Sequence, residues 1–474
     1  VKYQSFIGLE IHIHLLTQTK AFCACPNQYG APPNTHVCPI CLGYPGTLPA
    51  ANAEAMRMSY LLARALNCEL AATCTFDRKN YFYPDMAKSY QLTQFFAPVG
   101  RNGWFDISLG SETKRIRIHD VHYEEDAGKM IHAGKHSLVD YNRAGASLLE
   151  IVTEPDLSSG EEAEAYVREF RRLVRHLGVC DGNMEEGSLR CDANISINLP
   201  GKGLGTKTEV KNINSARFVR RAIAYEINRQ AAAKDNGETI VQETRLWDAD
   251  KGITLPMRTK EDAHDYRYFP DPDLPPFSPD DAFLADLETR LCELPLHRKQ
   301  RYERDFSIPA DTADFLAEDQ QLAQLFDDCV SLGAPPKVAA NWLAGTVQAQ
   351  LKRTERRVAD SHISPQRLAQ AIALVEKGRL SASRAKEVVE LIILEDRDPE
   401  EIMTAHGWEQ TSNAGEIDAW IAQVLADNEK VVSDIRGGNP KGIAFLMGQV
   451  MKRAQGRADA RLVKEKLEQA LTGQ

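Results

Sequence analysis

No apolar run in this sequence approaches the roughly 20 residues that a membrane-spanning helix requires, so a place in the bilayer is not expected. The opening residues, VKYQSFIGLEIH, lack the charged start, apolar stretch and small-residue cleavage site of a secretory leader, and the expected setting is the cytoplasm. There is no G-x-x-x-x-G-K-[ST] stretch, so phosphate is not held by a P-loop. Nucleophile elbows, a Ser-Ser-Lys amidase pattern and an N-terminal cysteine are also missing, so hydrolysis through a nucleophile of this chain is not expected. Internal repeats and long low-complexity segments are absent. What remains is a chain of 474 residues, 43% hydrophobic and 26% charged, long enough for two or three domains of ordinary globular composition. Its net charge of −10 argues against a surface built to be coated with nucleic acid throughout.

Stable disulfides are not expected in a reducing compartment, which narrows the reading of the ten cysteines. Cys68, Cys74, Cys180, Cys191, Cys292 and Cys329 are scattered and read as small buried hydrophobes. The other four cluster in AFCACPNQYGAPPNTHVCPICLGYPG. Cys23 and Cys25 form a C-x-C, and after twelve residues Cys38 and Cys41 form a C-x-x-C. That spacing suits a four-thiolate zinc knuckle, with the Pro-containing turn VCPICLG aiming both of its sulfurs at one ion. Four protein ligands leave no open position, so such a zinc is structural. A redox pair at Cys38 and Cys41, plain reduced thiols, or His36 in place of one cysteine are the competing readings.

Along the chain, residues 1–290 mix short alternating runs with turns and predict a β-rich cradle. SFIGLEIHIHLL alternates as a strand with Glu10, His12 and His14 on one face. AEAMRMSYLLARALNC has helical spacing, and KRIRIHDVHYEED alternates again. ASLLEIVTEPDL reads as a strand stopped by Pro155. Ser159 and Glu162 then form a capping box ahead of a helix with Val167, Phe170, Val174 and Leu177 on one stripe. GSLRCDANISINL and GTKTEVKNIN read as strands joined by a glycine-rich turn. After the Pro- and Asp-rich FPDPDLPPFSPDD, residues 291–405 predict a helical domain, and 406–474 a small helical tail. The fold class expected is α+β. From Lys430 onward nine basic residues face four acidic ones, a net +5 that suggests either a footprint for a polyanion or a solvated helix face.

Ionisable residues are denser in the β-rich part than a core requires. Glu150 sits among Leu and Ile in LLEIVTEPD, where a carboxylate is costly unless paired or bound to a cation. Asp192 and Asn194 occupy a strand that disfavours both residue types. With Glu10, His12, Glu124, Glu125, Asp126 and Lys129, they suggest a Mg²⁺ site. That ion prefers hard oxygen ligands and usually bridges to substrate phosphates. Lys79, Lys88, Arg190, Lys207 and Lys211 are candidate phosphate contacts, while GKGLGTK is explained as well by a hairpin turn as by a phosphate cradle.

Ten strings occur in an order that resembles one family. They are GLEIH, VCPICLGYPGTLP, FDRKNYFYPD, EEDAGK, DYNRAG, LLEIVTEPD, GSLRCDANIS, GTKTEVKNIN, DYRYFPDPDLPP and AFLMGQVMKRAQG. The chain is similar over nearly its whole length to the B subunit of aspartyl/glutamyl-tRNA(Asn/Gln) amidotransferase, GatB. The resemblance implies a two-step amidation. ATP phosphorylates the side-chain carboxylate of Glu on misacylated tRNA(Gln) or Asp on misacylated tRNA(Asn), and ammonia displaces the phosphate.

It further implies His12, Glu125 and Glu150 as Mg²⁺ ligands, with Glu10 and Asp192 completing a second shell or second cation site. Lys79, Lys88, Arg190 and Lys207 would hold phosphates. A structural zinc is expected on Cys23, Cys25, Cys38 and Cys41. In the family a glutaminase A subunit supplies ammonia through a polar tunnel, a small C subunit clamps the pair, and the helical domain and mobile tail grip tRNA. That favours Lys441, Lys452, Arg453 and Arg457 as tRNA contacts. Three positions depart from the family's habit: His14 for Gln, Ala216 for an aromatic and Glu429 for proline. A non-catalytic RNA-binding scaffold, with structural carboxylates, is the rival reading.

Overall fold

The computed structural model describes residues 2–110, 112–257, 266–410, 414–436, 442–454 and 457–472. They form two compact units, 1–297 and 298–474. Fourteen strands lie in the first unit: β1 Gln4–His14, β2 Glu69–Leu70, β3 Asp77–Asn80, β4 Tyr90–Thr93, β5 Gly100–Leu109, β6 Glu112–Glu125, β7 Lys129–Ala133, β8 His136–Asp140, β9 Ser147–Thr153, β10 Leu189–Asn198, β11 Thr208–Ile213, β12 Glu243–Asp248, β13 Ile253–Pro256 and β14 Phe269–Pro270. Nine of them build one sheet, ordered β13-β12-β11-β10-β1-β9-β6-β5-β2. Strands β14, β3 and β4 form a three-stranded sheet, and β7 and β8 a hairpin.

The large sheet is half-buried because its strands alternate. On β1, Ile7, Leu9, Ile11 and Ile13 are fully buried, while Glu10, His12 and His14 point to the other face. Strand β10 repeats this, with Cys191, Ala193, Ile195 and Ile197 buried and Arg190, Asp192 and Asn194 opposite them. Helices α1 Ala53–Ala65, α2 Gly160–His176 and α3 Ala216–Asp235 contribute to the apolar core. On α2 the buried stripe is Tyr166, Val167, Phe170, Leu173 and Val174, each worth about 1.5–3 kcal/mol on burial. Ser159 caps α2, accepting from Glu162 N at 3.2 Å, and the Glu162 carboxylate reaches back to Ser158 N at 2.7 Å. The reciprocal bond therefore lands one residue before the cap.

Strand β6 contains a bulge that decides what its later half presents. Ile116 and Ile118 are buried, then the register to β9 shifts between Ile118 and Asp120, after which Val121 and Tyr123 are buried instead. Asp120, His122 and Glu124 consequently face away from the apolar core.

The second unit is helical among its described residues. One apolar cluster runs from Tyr302 to Met403 and another from Ile417 to Leu471. The mixed sheet with a helical C-terminal region is the α+β class expected from the sequence. No helix among the described residues is long and apolar enough to cross a membrane.

Candidate functional site

Residues directly opposite in an antiparallel ladder share a face, so register alone assembles the polar side of the sheet row by row. His12 stands opposite Arg190 on β10 and Glu150 on β9, and Glu150 stands opposite His122 on β6. In the next row Glu10 is opposite Asp192 and Val152, and Val152 is opposite Asp120. All of these side chains except Val152 line a cavity of about 1050 Å³, together with Lys79, Gln91, Phe95, Arg101 and Tyr268.

His12 belongs to two overlapping ligand groups, Glu10–His12–Asp192 and His12–Glu124–Glu150, whose donor atoms lie within 4.8 Å of one another in each group. Its Nε2 is 3.3 Å from Glu150 and 3.8 Å from both Glu10 and Glu124. Glu150 also meets His122 Nε2 at 2.9 Å, and His122 Nδ1 meets Asp120 at 3.0 Å. Lys211 donates to Asp192 at 3.1 Å. His14 Nε2 lies 2.8 Å from Asp126, which also accepts from Arg190 at 3.2 Å, so the departure at position 14 is engaged with the cavity wall.

The charges are frustrated. Burial and the neighbouring Glu150 push the Glu10 carboxyl up to about 7. Burial and Glu150 likewise raise Glu124. Burial opposes ionisation of Glu150 as well, yet His122 and His12 hold it well below the usual carboxylate range. Burial pulls Lys79 down, and the fields of Glu124, Tyr268 and Glu150 more than offset it. Buried acids in such excess, with the imidazoles of His12 and His122 among them, are a donor set that fits a hard divalent cation.

Several candidates sit elsewhere. Glu125 is absent from both ligand groups. With the strand period of two it points opposite to Glu124, where its buried carboxylate pairs with Lys88 and accepts from Leu92 N at 2.9 Å. Glu124 takes the place expected of Glu125, and Lys88 is occupied by that buried pair rather than lining the cavity. Lys207 is exposed and borders a second cavity, about 770 Å³, together with Phe6, Ser196 and Lys234. Lys79, Arg190, Glu10, His12, Glu150 and Asp192 do converge, and they are joined by Lys211, His122 and Asp120.

The knuckle cysteines also meet. Cys23, Cys25, Cys38 and Cys41 bring their sulfurs within 4.8 Å of one another, and Cys38 N donates to Cys41 Sγ at 3.2 Å. Sulfurs tetrahedral about zinc stand about 3.8 Å apart, so the set fits the ion with small adjustment. A hydrogen bond from Cys23, ahead of the Cys38 N–H and the Lys20 charge, draws the Cys41 thiol down to about 4, against the opposing pull of burial. His36 is not among the converging donors.

A family model described as the GatB/GatE catalytic domain matches residues 5–285, which hold both the cavity and the knuckle. A second, the GatB domain, matches residues 324–471. The chain belongs to the GatB family. Relatives named as the B subunit of aspartyl/glutamyl-tRNA(Asn/Gln) amidotransferase share its full length. The Synechococcus sp. (strain JA-2-3B'a(2-13)) protein is 44% identical over 482 residues, covering 100% of this chain and 98% of the relative. The Brevibacillus brevis protein is 44% identical with 99% of each covered, and the Geobacter sulfurreducens protein 44% identical with 100% of each covered.

In this GatB chain the basic tail candidates are spread over separate elements. Lys452 and Arg453 end the helix Gly442–Arg453, with Arg453 donating to Asp427 at 2.6 Å. Arg457 lies 5.9 Å from the Trp420 ring. Lys441 falls outside the described residues.

Proposed function

We propose that this chain activates and amidates the side-chain carboxylate of Glu on misacylated tRNA(Gln), Asp on misacylated tRNA(Asn), or both, using ATP. It is then an ATP-dependent carbon–nitrogen ligase drawing its nitrogen from glutamine through partners. The observation that carries the reading is the pair of ligand groups sharing His12, set in a cavity rimmed by Lys79, Arg190 and Lys211. A carboxylate is a poor electrophile, and phosphorylation turns one oxygen into a leaving group that ammonia can displace.

Both the donor phosphate and the acceptor carboxylate are anionic, so bringing them together needs positive charge fixed in advance. Mg²⁺, when bound by His12, Glu124 and Glu150, supplies that charge and orients the phosphates. Glu10 and Asp192 serve a second cation or the outer shell of the first. Lys79, Arg190 and Lys211 take the phosphate oxygens. Glu150 is kept ionised by His122, which is itself oriented by Asp120. Phe95 and Tyr268, stacked with ring centroids 4.1 Å apart, shield one side of the cavity from water.

Ammonia comes from a glutaminase A subunit held with a small C subunit, in keeping with relatives that are themselves named as a B subunit. The tail, as a third domain beyond residue 405, holds tRNA through Lys441, Lys452, Arg453 and Arg457. We place this activity in the cytoplasm. The test supplies purified chain with ATP, Mg²⁺, ammonium and each mischarged tRNA. Amide on the esterified amino acid is the expected product. Bound tRNA without amide or ADP would leave the scaffold reading instead.

A further inference from the structure

Lys20 is a buried lysine with no carboxylate partner among the described residues. The residue is 0% exposed, and its Nζ donates to the backbone carbonyls of His36 and Ala144, both at 2.7 Å, and Tyr141 at 3.3 Å. No carboxylate among the described residues lies within ion-pairing distance of it. Its remaining contact is Cys41 Sγ at 3.7 Å. Carbonyls satisfy the ammonium's hydrogen bonds but supply no charge, and a buried cation without a countercharge is strongly disfavoured. Four thiolates on one Zn²⁺ carry a net charge of −2, which is the missing anion.

We propose that Lys20 is the counter-cation of the four-cysteine zinc site, and that through it the bound metal fixes the loop Tyr141–Ala146 against the wall of the main cavity. The inference rests on the zinc reading of the knuckle. Two further bonds fasten the loop to the knuckle: His36 N donates to Asn142 Oδ1 at 2.8 Å, and Tyr141 N donates to Asn34 Oδ1 at 2.7 Å. Gly145 is wedged between the two parts. A Cβ there would lie 3.3 Å from Cys41 Cβ, 3.6 Å from Lys20 Cδ and 3.7 Å from Glu125 Oε2. From the loop, Gly145 N donates to Asp126 O at 2.9 Å, and Arg143 Nε to Ala127 O at 3.0 Å. Asp126 and Ala127 line the cavity, so contacts run without a break from a zinc ligand to the candidate site. Lys20 is a positioning residue in this scheme, acting through its charge on the metal site and its bonds to the loop.

Zinc release separates this role from simple packing. Lys20→Met keeps the stem and removes the charge, and zinc should pass from it to a chromophoric chelator at least about 10-fold faster than from the wild-type chain. An unchanged release rate from a folded, zinc-loaded variant overturns the inference while leaving the zinc reading intact. Should the variant fail to fold, amide hydrogen exchange on the wild-type chain decides. Stripping zinc should speed exchange across residues 141–146, and unchanged protection there overturns the proposal. Absence of zinc from protein purified without chelators would overturn the zinc reading and this inference with it.

Discussion

His12 and Glu150 stand directly opposite each other on adjacent antiparallel strands, with Nε2 and Oε2 3.3 Å apart. The sheet's own hydrogen bonds thus preset the spacing of two candidate ligands, and no loop has to fold over to make it. Glu150→Gln keeps the shape and removes the charge. Affinity for a divalent cation, read by Mn²⁺ titration, should fall at least about 10-fold, with the chain still folded.

Glu124 and Glu125 are adjacent in sequence but should separate cleanly by readout. Glu125→Gln leaves Lys88 buried without its countercharge, costing about 3 kcal/mol in denaturant unfolding. Glu124→Gln relieves repulsion from Glu150, so stability should hold or rise while amidation falls roughly 100-fold or more. The reverse pattern would exchange their roles.

The N-terminus of α2 gives a stability prediction with a pH signature. Ser159→Ala should cost about 1 kcal/mol. Burial works against the charged form of Glu162, but bonds from Lys114 and Ser158 hold its carboxyl below the ordinary 4.5. A group depressed in the folded chain contributes fully above its unfolded value and is lost as pH falls through its folded one. Glu162→Gln should therefore destabilise at pH 7, with the difference shrinking as pH falls below the ordinary carboxylate value and vanishing once it has passed the lowered folded one, in denaturation curves recorded across that range.

For the tail, each lost phosphate contact should flatten the log–log salt dependence of tRNA binding by about 0.7–0.9. Lys452→Ala tests this by binding measured across a salt series, and an unchanged slope removes Lys452 from the interface.

Part of the cavity could be read from the alternation of β1 and β10, where polar side chains at every second place between apolar ones leave one polar face, and from Glu150 standing alone among the aliphatic residues of β9. The sequence reading and the geometry part at β6, where Glu124 rather than Glu125 joins His12 and Glu150. There the apolar residues run Ile116, Ile118, Val121, Tyr123, stepping by two, then three, then two. That extra step is the bulge, and it carries Asp120, His122 and Glu124 to the cavity while turning Glu125 away. Counted from Val121 onward, the pattern selects Glu124. Lys88 and Lys207 were harder, since a lysine's sequence context does not reveal whether a distant carboxylate claims it or which end of a strand it borders. The knuckle was legible because cysteine spacing alone dictates the turns. Lys20 was not, as its significance lies in three carbonyls from two separate loops.

The central claim is that a divalent cation sits among His12, Glu124 and Glu150 when nucleotide is bound. Anomalous scattering from crystals grown with Mn²⁺ and a non-hydrolysable ATP analogue tests it most directly. A peak within about 2.0–2.3 Å of donor atoms on all three residues, with phosphate oxygens completing the shell, is the predicted result. A peak elsewhere, with Glu150 still bound to His12 and His122 and Glu124 free of metal, would contradict it.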